Sequence, residues 1–159
     1  MRWESLIYGM ADEHIYKARN KTLLLYHLVF PVKYRHSVIG EDVGGSLAKT
    51  CMEISERYEI HFVEIGYEEN HVHLLVQSVP MLSVKKIVGT IKSITAKEVF
   101  RLHPEVKQKL WGGNLWTSGY YANTVGRYGN KEVIQQYIKN QGEQDNYVQL
   151  HKDQLGLFE

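Results

Sequence analysis

The segment EIHFVEIGYEENHVHLLVQSV, residues 59–79, contains two apolar stretches separated by a short polar turn. The first, EIHFVEIGY (59–67), alternates between apolar and polar residues, and the second, HVHLLVQSV (71–79), is rich in aliphatic residues. Asn70 suits the turn between them, because asparagine tolerates turn conformations. The segment therefore predicts a β-hairpin whose second strand begins with two histidines two residues apart.

A strand and a helix are predicted before this hairpin. The strand is TLLLYHLVFPVKYR (22–35), in which Pro31 predicts an edge position or a bend. Leu47, Cys51 and Ile54 recur at helical spacing after Gly44-Gly45, which predicts a helix over 45–57. The polar residues 1–20 predict an arm or a short helix.

Two helices and a strand are predicted after the hairpin. Ser83 is a suitable cap for a helix over 83–103, followed by another turn or two at 105–110. The aromatic and β-branched stretch LWTSGYYANTV (115–125) predicts a strand. A last helix is expected over 131–142, where Gly142 ends it.

The resulting order, β-α-β-β-α-β followed by one more helix, predicts an α+β fold of the ferredoxin-like (RRM-like) type. We expect an antiparallel sheet with two helices on one face and a free opposite face. No repeat interrupts the 159 residues, so we expect one domain. It comprises an N-terminal extension (1–20), a core (22–142) and a polar tail (143–159).

The composition excludes several classes of protein. Hydrophobic residues make up 43% of the chain and charged residues 23%, which is typical of a globular domain. The single cysteine, Cys51, excludes an intramolecular disulfide and argues against a cysteine metal site. No segment has the roughly 18 apolar residues of a membrane span, and the start lacks the apolar core of a signal peptide. We therefore expect a cytoplasmic protein without a membrane partner.

Charge is unevenly distributed along the chain. Residues 53–69 contain six glutamates and one arginine, which gives a local charge of −5. Residues 85–109 have a local charge of +5, because two glutamates stand against seven basic residues: Lys85, Lys86, Lys92, Lys97, Arg101, Lys107 and Lys109. The basic stretch indicates either a nucleic-acid-binding face or an ordinary solvated surface.

His71 and His73 are expected to project from the same face of their strand, while Val72 and Leu74 project from the other. Two neighbouring neutral imidazoles suit a divalent metal ion, although an open site needs at least one more ligand. Taken alone, this motif favours the alternative interpretation of ordinary strand histidines, exposed or hydrogen-bonded.

Tyr137 and Gln141 lie four residues apart in VIQQYIKNQ and so share one face of the last predicted helix. A glutamine carbonyl is a suitable ligand for Mg²⁺ or Mn²⁺. A tyrosine hydroxyl can act as a nucleophile that forms a covalent intermediate. The chain has 11 tyrosines, so a packing role for Tyr137 also remains open.

Several segments together resemble the single-tyrosine HUH transposases of bacterial insertion sequences, the TnpA-type or IS200-like family. The HUH motif, His-hydrophobic-His, is His71-Val72-His73 here. The other matching segments are YHLVFPVKYR (26–35), LWGGNLWTSGYYANTVG (110–126), and Tyr137 with Gln141. The resemblance covers residues 22–142, and the tryptophan- and glycine-rich segment is more specific than the histidine pair.

The resemblance implies roles for individual residues. His71, His73 and Gln141 would be ligands of Mg²⁺ or Mn²⁺, and Tyr137 would be the nucleophile. The family cleaves single-stranded DNA, forms a 5′-phosphotyrosine link and releases a 3′-hydroxyl that can later rejoin strands. Asn70 departs from the aspartate often found before the HUH strand in relatives, which changes no expected ligand.

The resemblance also implies partners. Family members bind DNA with hairpin ends and are typically homodimers whose active sites are completed by the partner's tyrosine helix. Gly126 and Gly129 would be hinges of that helix, or simply form a turn. The side chains expected to contact DNA are Lys85, Lys86, Lys92, Lys97 and Arg101 at phosphates, and Trp116, Tyr120 and Tyr121 by stacking on bases.

Three alternatives remain open from the sequence. One is a domesticated relative that cleaves single-stranded hairpins by the same chemistry without moving an element. Another is a non-catalytic, ferredoxin-like nucleic-acid-binding module, although the aromatic motif typical of RNA-binding domains is absent from the sequence. The last is a plain metal-binding or dimerisation domain in which Tyr137 is structural.

Overall fold

A computed structural model describes the backbone of residues 2–5 and residues 14–126 with their side chains. The predicted last helix, 131–142, and the tail, 143–159, lie outside the described residues. The described elements follow in chain order: β1 (Arg2–Ser5), β2 (Ile15–Lys17), β3 (Asn20–Thr22), β4 (Leu24–Pro31), α1 (Glu41–Arg57), β5 (Ile60–Glu68), β6 (His71–Ser78), α2 (Val84–Leu102), α3 (Pro104–Lys109) and β7 (Tyr121–Val125).

Five strands form one antiparallel sheet in the order β1-β5-β6-β4-β7. The four strands of the predicted β-α-β-β-α-β unit are β4, β5, β6 and β7, and both crossover helices follow in the predicted places. The α+β, ferredoxin-like prediction is therefore confirmed. β5 and β6 form the predicted hairpin, in which Glu68 pairs with His71 and a bulge lies between Phe62 and Glu64.

The main core lies between one face of the sheet and helices α1 and α2. Val72, Leu74 and Val76 of β6 pack there with Ile54 of α1 and Ile91 of α2. Each of these side chains is almost fully buried, and complete burial of an aliphatic side chain stabilises a fold by about 1.5–3 kcal/mol. The helices therefore cover the face of β6 that carries its even-numbered residues.

The opposite face of the sheet has a second, smaller apolar cluster, formed by Leu25, Val63, Leu75 and Val125. The alternation of β6 places His71 and His73 on this face. The predicted separation of the valines and leucine from the two imidazoles is confirmed.

The helices begin and end close to their predicted limits, with one instructive difference. α2 begins after Ser83, whose hydroxyl oxygen accepts a hydrogen bond from Lys86 N at 3.0 Å. α1 begins at Glu41 and not at residue 45, so Gly44 and Gly45 lie inside the helix. Gly44 is needed there because a Cβ at this position would overlap the ring of Tyr67.

Three local predictions are corrected. Residues 2–5 form a strand that pairs with β5, and Ile15–Lys17 pairs with Asn20–Thr22, so these parts of the N-terminal extension are strands and not a helix. Pro31 ends β4, which lies between two other strands, so the edge position was wrong. The last predicted strand covers only Tyr121–Val125.

The first part of the predicted strand 115–125 is a loop fastened to α2. Lys92 Nζ donates hydrogen bonds to the carbonyl oxygens of Thr117, at 2.7 Å, and Gly119, at 2.8 Å. Within this part, Trp116 pairs with Val32 in an isolated backbone bridge that does not extend into a strand. These contacts to another element turn the chain away from the sheet before β7.

None of the helices that the structure describes is long and apolar enough to cross a membrane.

Candidate metal centre and active site

The histidine pair is built by the register of strands β4 and β6. His73 faces Val29 of β4, and His27 lies two residues before Val29, so His27 and His73 project from the same face. His27 and His73 are fully buried and His71 is 4% exposed. Three imidazoles thus come together on the face of the sheet opposite α1 and α2.

His27 and His73 are joined by a buried hydrogen bond of 3.0 Å between His27 Nε2 and His73 Nδ1. The two rings lie edge to edge, with planes 16° apart and centroids 5.3 Å apart. Burial lowers the pKa of His27 to about 4, so this imidazole is neutral at pH 7. Nε2 of the neutral His27 ring can accept a hydrogen bond from His73 Nδ1–H, and in that arrangement the lone pair of a neutral His73 ring is on Nε2.

The Nδ1 atom of His71 also has a hydrogen-bond partner, which is its neighbour in the turn. Its Nδ1 lies 2.6 Å from Oδ1 of Asn70. An amide oxygen only accepts hydrogen bonds, so His71 Nδ1 carries the proton and the lone pair of the neutral ring is on Nε2. The departure from aspartate at Asn70 therefore keeps an acceptor at this position.

The chemistry of these donors suits a divalent cation. The rings of His71 and His73 have centroids 5.1 Å apart and planes 74° apart, and each could offer its Nε2 atom. Metal-binding histidines typically donate their other ring N–H to a protein acceptor, as His71 does to Asn70 Oδ1 and as His73 can do to His27 Nε2. No group of three or more His, Cys, Asp or Glu side chains within residues 14–126 is arranged to hold a metal ion by itself. The pair thus needs a ligand of another type or from another part of the chain.

Other polar groups share this face. Glu64 and Gln77 are both almost fully buried, on the strands either side of the β5–β6 hairpin turn. In register, Glu64 pairs with Leu75 and Gln77 pairs with His61. A face with so many buried polar side chains differs sharply from the dry face under the helices, and buried polar groups are costly unless they have partners.

The predicted nucleophile and third ligand, Tyr137 and Gln141, lie outside the described residues, as does Gly129. Gly126 directly follows β7. Tyr121 is half-buried on the same face as the histidines, with its ring edge-on to His27 at 5.7 Å between centroids. Burial raises the pKa of its hydroxyl, so Tyr121 stays protonated at neutral pH.

The other two aromatic residues predicted to stack on DNA have different surroundings. Trp116 is 5% exposed, packs edge-on against Phe30, and donates a hydrogen bond from Nε1 to Thr95 Oγ1 at 3.0 Å. A buried ring offers no face to a nucleobase, so Trp116 is a core residue and the stacking prediction for it is wrong. Tyr120 is 42% exposed, with Lys92 Nζ 5.4 Å from its ring centroid.

The basic helix lies on the opposite side of the sheet from the histidine pair. α2 packs through Ile87, Ile91 and Val99 into the main core. Lys85, Lys86 and Lys97 line an outer groove of about 630 Å³ on this helix. Arg101 is paired with Glu98 at 2.8 Å, and Lys92 is engaged by the carbonyls of the 117–119 loop. The structure therefore does not bring these cations together with the histidines, and their contacts with phosphate stay a prediction.

His27 is the site residue that sequence reasoning missed. It lies in the apolar strand YHLVFP with the same alternation as the histidines of β6, and that alternation was its only signal. A single histidine in a strand has no spacing partner nearby in the sequence. Its partner His73 lies 46 residues away, and only the pairing of β4 with β6 brings the two rings together.

Comparisons with known proteins show which family the chain resembles. The family model "Transposase IS200 like" matches residues 20–141. The ISDra2 transposase TnpA of Deinococcus radiodurans is 34% identical over 122 residues, covering 77% of this chain and 86% of the relative. The transposase for insertion sequence element IS200 of Salmonella typhimurium is 34% identical over 124 residues, covering 76% and 78%.

A solved structure is similar to this chain in fold. It is a crystal structure of a Deinococcus radiodurans R1 protein described as a transposase, and it superposes with a TM-score of 0.62 at 31% sequence identity. The match covers 84% of this chain and 98% of the solved chain. With a family match over most of the core and relatives at 34% identity, the chain belongs to the IS200-like transposase family.

Proposed function

We propose that this transposase cleaves and rejoins single-stranded DNA at insertion-sequence ends, with Tyr137 as nucleophile. His71, His73 and Gln141 are the proposed ligands of a Mg²⁺ or Mn²⁺ ion. The observation that carries the proposal is the pair of buried imidazoles on the face opposite α1 and α2, each with its Nδ1 atom beside a protein partner. Family membership supports DNA cleavage and rejoining as the reaction class.

The donor set fits the proposed ion. Two neutral imidazoles and an amide oxygen make an uncharged, open site that leaves room for a phosphate. When bound, the ion would neutralise charge on the phosphate oxygens and so favour nucleophilic attack. The chain's own contribution is to orient the two rings, through His27 and Asn70, and to pack Leu25 and Leu75 on the same face.

The proposed cleavage step balances without a high-energy cofactor. The hydroxyl of Tyr137 loses its proton, its oxygen bonds to phosphorus, and the bond from phosphorus to the 3′ oxygen breaks. The 3′ oxygen takes up a proton and leaves as a 3′-hydroxyl, while the 5′ side stays attached as phosphotyrosine. In the rejoining step a 3′-hydroxyl attacks this phosphotyrosine and returns the tyrosine to its free form.

The test is the formation of a covalent adduct with single-stranded hairpin DNA in the presence of Mg²⁺ or Mn²⁺. We expect a protein–DNA species that survives denaturing electrophoresis and is absent from Tyr137→Phe. Tyr121→Phe is the matched control, because Tyr121 also lies near the histidines but is not the proposed nucleophile. An adduct formed equally well by Tyr137→Phe would refute the assignment of the nucleophile.

The same experiment separates the alternatives. A domesticated hairpin nuclease would form the adduct, but its gene would lack hairpin-bearing ends in the flanking DNA. A non-catalytic binding module would bind the hairpin and form no adduct with either metal. We favour the transposase because the curated relatives that the chain matches over about three quarters of its length are transposases.

A further inference from the structure

An exposed cluster of aromatic rings lies outside the histidine site. It consists of Tyr34, His36 and Trp111, whose rings meet edge to face with centroids 5.5–5.9 Å apart. Tyr34 is 62% exposed and Trp111 is 76% exposed. Large aromatic rings are more favourable buried in a core than exposed to water. A cluster of exposed aromatic rings is therefore typical of a binding surface.

The backbone under this cluster is in an unfavourable conformation. Within the described residues, the non-glycine positions with positive φ are Tyr34 at 58°, Arg35 at 55° and Trp111 at 53°, and all three belong to the cluster or adjoin it. Such conformations persist only where the surrounding structure enforces them, and they concentrate at functional sites. The strain therefore marks this surface as one with a role beyond packing.

Backbone hydrogen bonds hold both segments of the cluster in place, the one around Tyr34 and the one around Trp111. Lys33 N donates to Leu115 O at 2.8 Å, and Arg35 N donates to Val32 O at 2.9 Å. On the other segment, Trp111 N donates to Gln108 O at 3.0 Å. The exposed rings are consequently presented on a fixed backbone, which lowers the entropic cost of binding a ligand.

The cluster adjoins the histidine site. Pro31, the last residue of β4, is the register partner of His71, and Val32 N donates a hydrogen bond to Asn70 O at 2.8 Å. Tyr34 follows Pro31 by three residues, which places its backbone within roughly 10 Å of the strand end. The segment that carries Tyr34 and His36 therefore starts at the end of the sheet at which His71 lies.

Charge identifies the class of ligand. Lys33 Nζ lies 5.4 Å from the centroid of the Tyr34 ring, Arg35 is exposed beside it, and exposed Lys107 and Lys109 precede Trp111. Aromatic rings with interleaved cations bind single-stranded nucleic acid, since rings stack on bases while cations meet the phosphates. The cores of protein–protein interfaces are instead depleted of lysine.

We propose that Tyr34, His36 and Trp111 form a stacking site for an unpaired base of the single-stranded DNA, next to the histidine pair. This inference rests on the proposed function for the identity of the DNA, but it does not require cleavage. The stacked base would be held by Trp111 and Tyr34, with Lys33 and Arg35 at the adjoining phosphates.

The experiment measures binding of the full chain to a DNA hairpin with an unpaired flank, in EDTA so that no metal-dependent cleavage occurs. Abasic sites are introduced one position at a time along the flank. We expect one position at which loss of the base weakens wild-type binding by roughly 5- to 100-fold. Trp111→Ala should lose the same factor with intact DNA and become insensitive to the abasic site.

Two variants serve as controls. Trp111→Phe keeps a ring for stacking and should retain most of the affinity and the abasic sensitivity. Tyr16→Ala removes another exposed aromatic residue, on the β2–β3 hairpin, and should bind as the wild type does. Circular dichroism checks that each variant is folded.

Each other outcome overturns the proposal. It fails if the wild type binds no single-stranded DNA, if no abasic position distinguishes it from Trp111→Ala, or if Trp111→Ala instead changes the oligomeric state in sedimentation velocity. In the last case the cluster is a contact between copies of the chain. Failure of the covalent-adduct test leaves this result unaffected, because binding in EDTA does not depend on Tyr137.

Discussion

At the scale of single residues, the proton positions on two imidazoles decide what the histidine pair can bind. The hydrogen bond between His27 and His73 admits two arrangements, and only donation from His73 Nδ1 leaves a lone pair on His73 Nε2. Asn70 leaves His71 no such choice. His27 is therefore a positioning residue for the proposed metal site, acting through His73.

Replacing His27 tests this role directly. His27→Phe fills similar space but removes the acceptor, so we expect Mn²⁺ to bind about 10- to 100-fold more weakly. His27→Gln retains an acceptor oxygen and should bind Mn²⁺ with a smaller loss. Titration calorimetry with Mn²⁺ on the DNA-free protein gives both affinities, independently of cleavage.

Thermal unfolding provides the control for the two His27 variants, because substitution of a fully buried side chain changes stability. The comparison is made at a temperature at which both variants are folded. Wild-type affinity for Mn²⁺ in folded His27→Phe would show that the hydrogen bond to His73 has no part in metal binding.

At the scale of elements, helix α1 is fitted to the sheet through one glycine. Gly44 lies inside the helix, where glycine costs up to about 1 kcal/mol relative to alanine. The ring of Tyr67, buried on β5, occupies the space that a Cβ at Gly44 would take. The close approach of α1 to β5 thus outweighs the helical preference at this position.

Alanine substitutions at the two adjacent glycines should have opposite effects. Gly44→Ala should lower the free energy of unfolding by about 1–3 kcal/mol or more, because the rigid ring of Tyr67 cannot move aside. Gly45→Ala meets nothing within 4 Å and should raise it by about 0.5–1 kcal/mol. Urea unfolding monitored by circular dichroism measures both, and equal changes in the two variants would contradict the close packing.

The same glycine shows where sequence reasoning reached its limit. Local patterns predicted the hairpin 59–79, helix α2 and its Ser83 cap, because spacing and capping are written in neighbouring residues. The start of α1 was misplaced because the requirement for Gly44 inside the helix comes from Tyr67, which is distant in the chain. The strand 115–125 was overextended for the same reason, since Lys92 of α2 fastens its first part.

In the candidate site, too, local sequence predicted some features, whereas features that depend on contacts between distant residues were missed. Alternation within β6 predicted that His71 and His73 share a face opposite Val72 and Leu74, and the structure confirms it. His27 was missed because its role follows from strand pairing. The aromatic cluster was missed because Tyr34 and Trp111 meet only when the loop after β4 packs beside the loop after α3.

At the scale of the whole molecule, the sheet separates two kinds of surface. One face is dry and is covered by α1 and α2, whereas the other carries buried polar groups at His27, Glu64 and His73. The described histidines supply only two proposed metal ligands, and the basic groove on α2 lies on the far side. A complete site therefore needs residues delivered from elsewhere, which under the proposed function are Tyr137 and Gln141.

Mixing two inactive variants shows which subunit delivers Tyr137. Tyr137→Phe keeps the histidines, and His73→Ala keeps the tyrosine, so neither homodimer has a complete site. If sites are shared across the proposed dimer, a heterodimer has one site with intact His73 and intact Tyr137. After exchange of subunits, we expect covalent adduct at about a quarter of the wild-type yield, given random pairing of a twofold dimer.

The control mixes Tyr137→Phe with the double variant Tyr137→Phe/His73→Ala, which has no intact tyrosine in any pairing and should form no adduct. Sites built within one subunit would leave the first mixture inactive as well, because no single chain then has both residues. The shared arrangement is supported if only the first mixture forms adduct and the DNA is attached to the His73→Ala chain. The tyrosine of one subunit then acts beside the histidines of its partner. Absence of adduct in a mixture shown by mass spectrometry to contain heterodimers would instead place Tyr137 beside the histidines of its own chain.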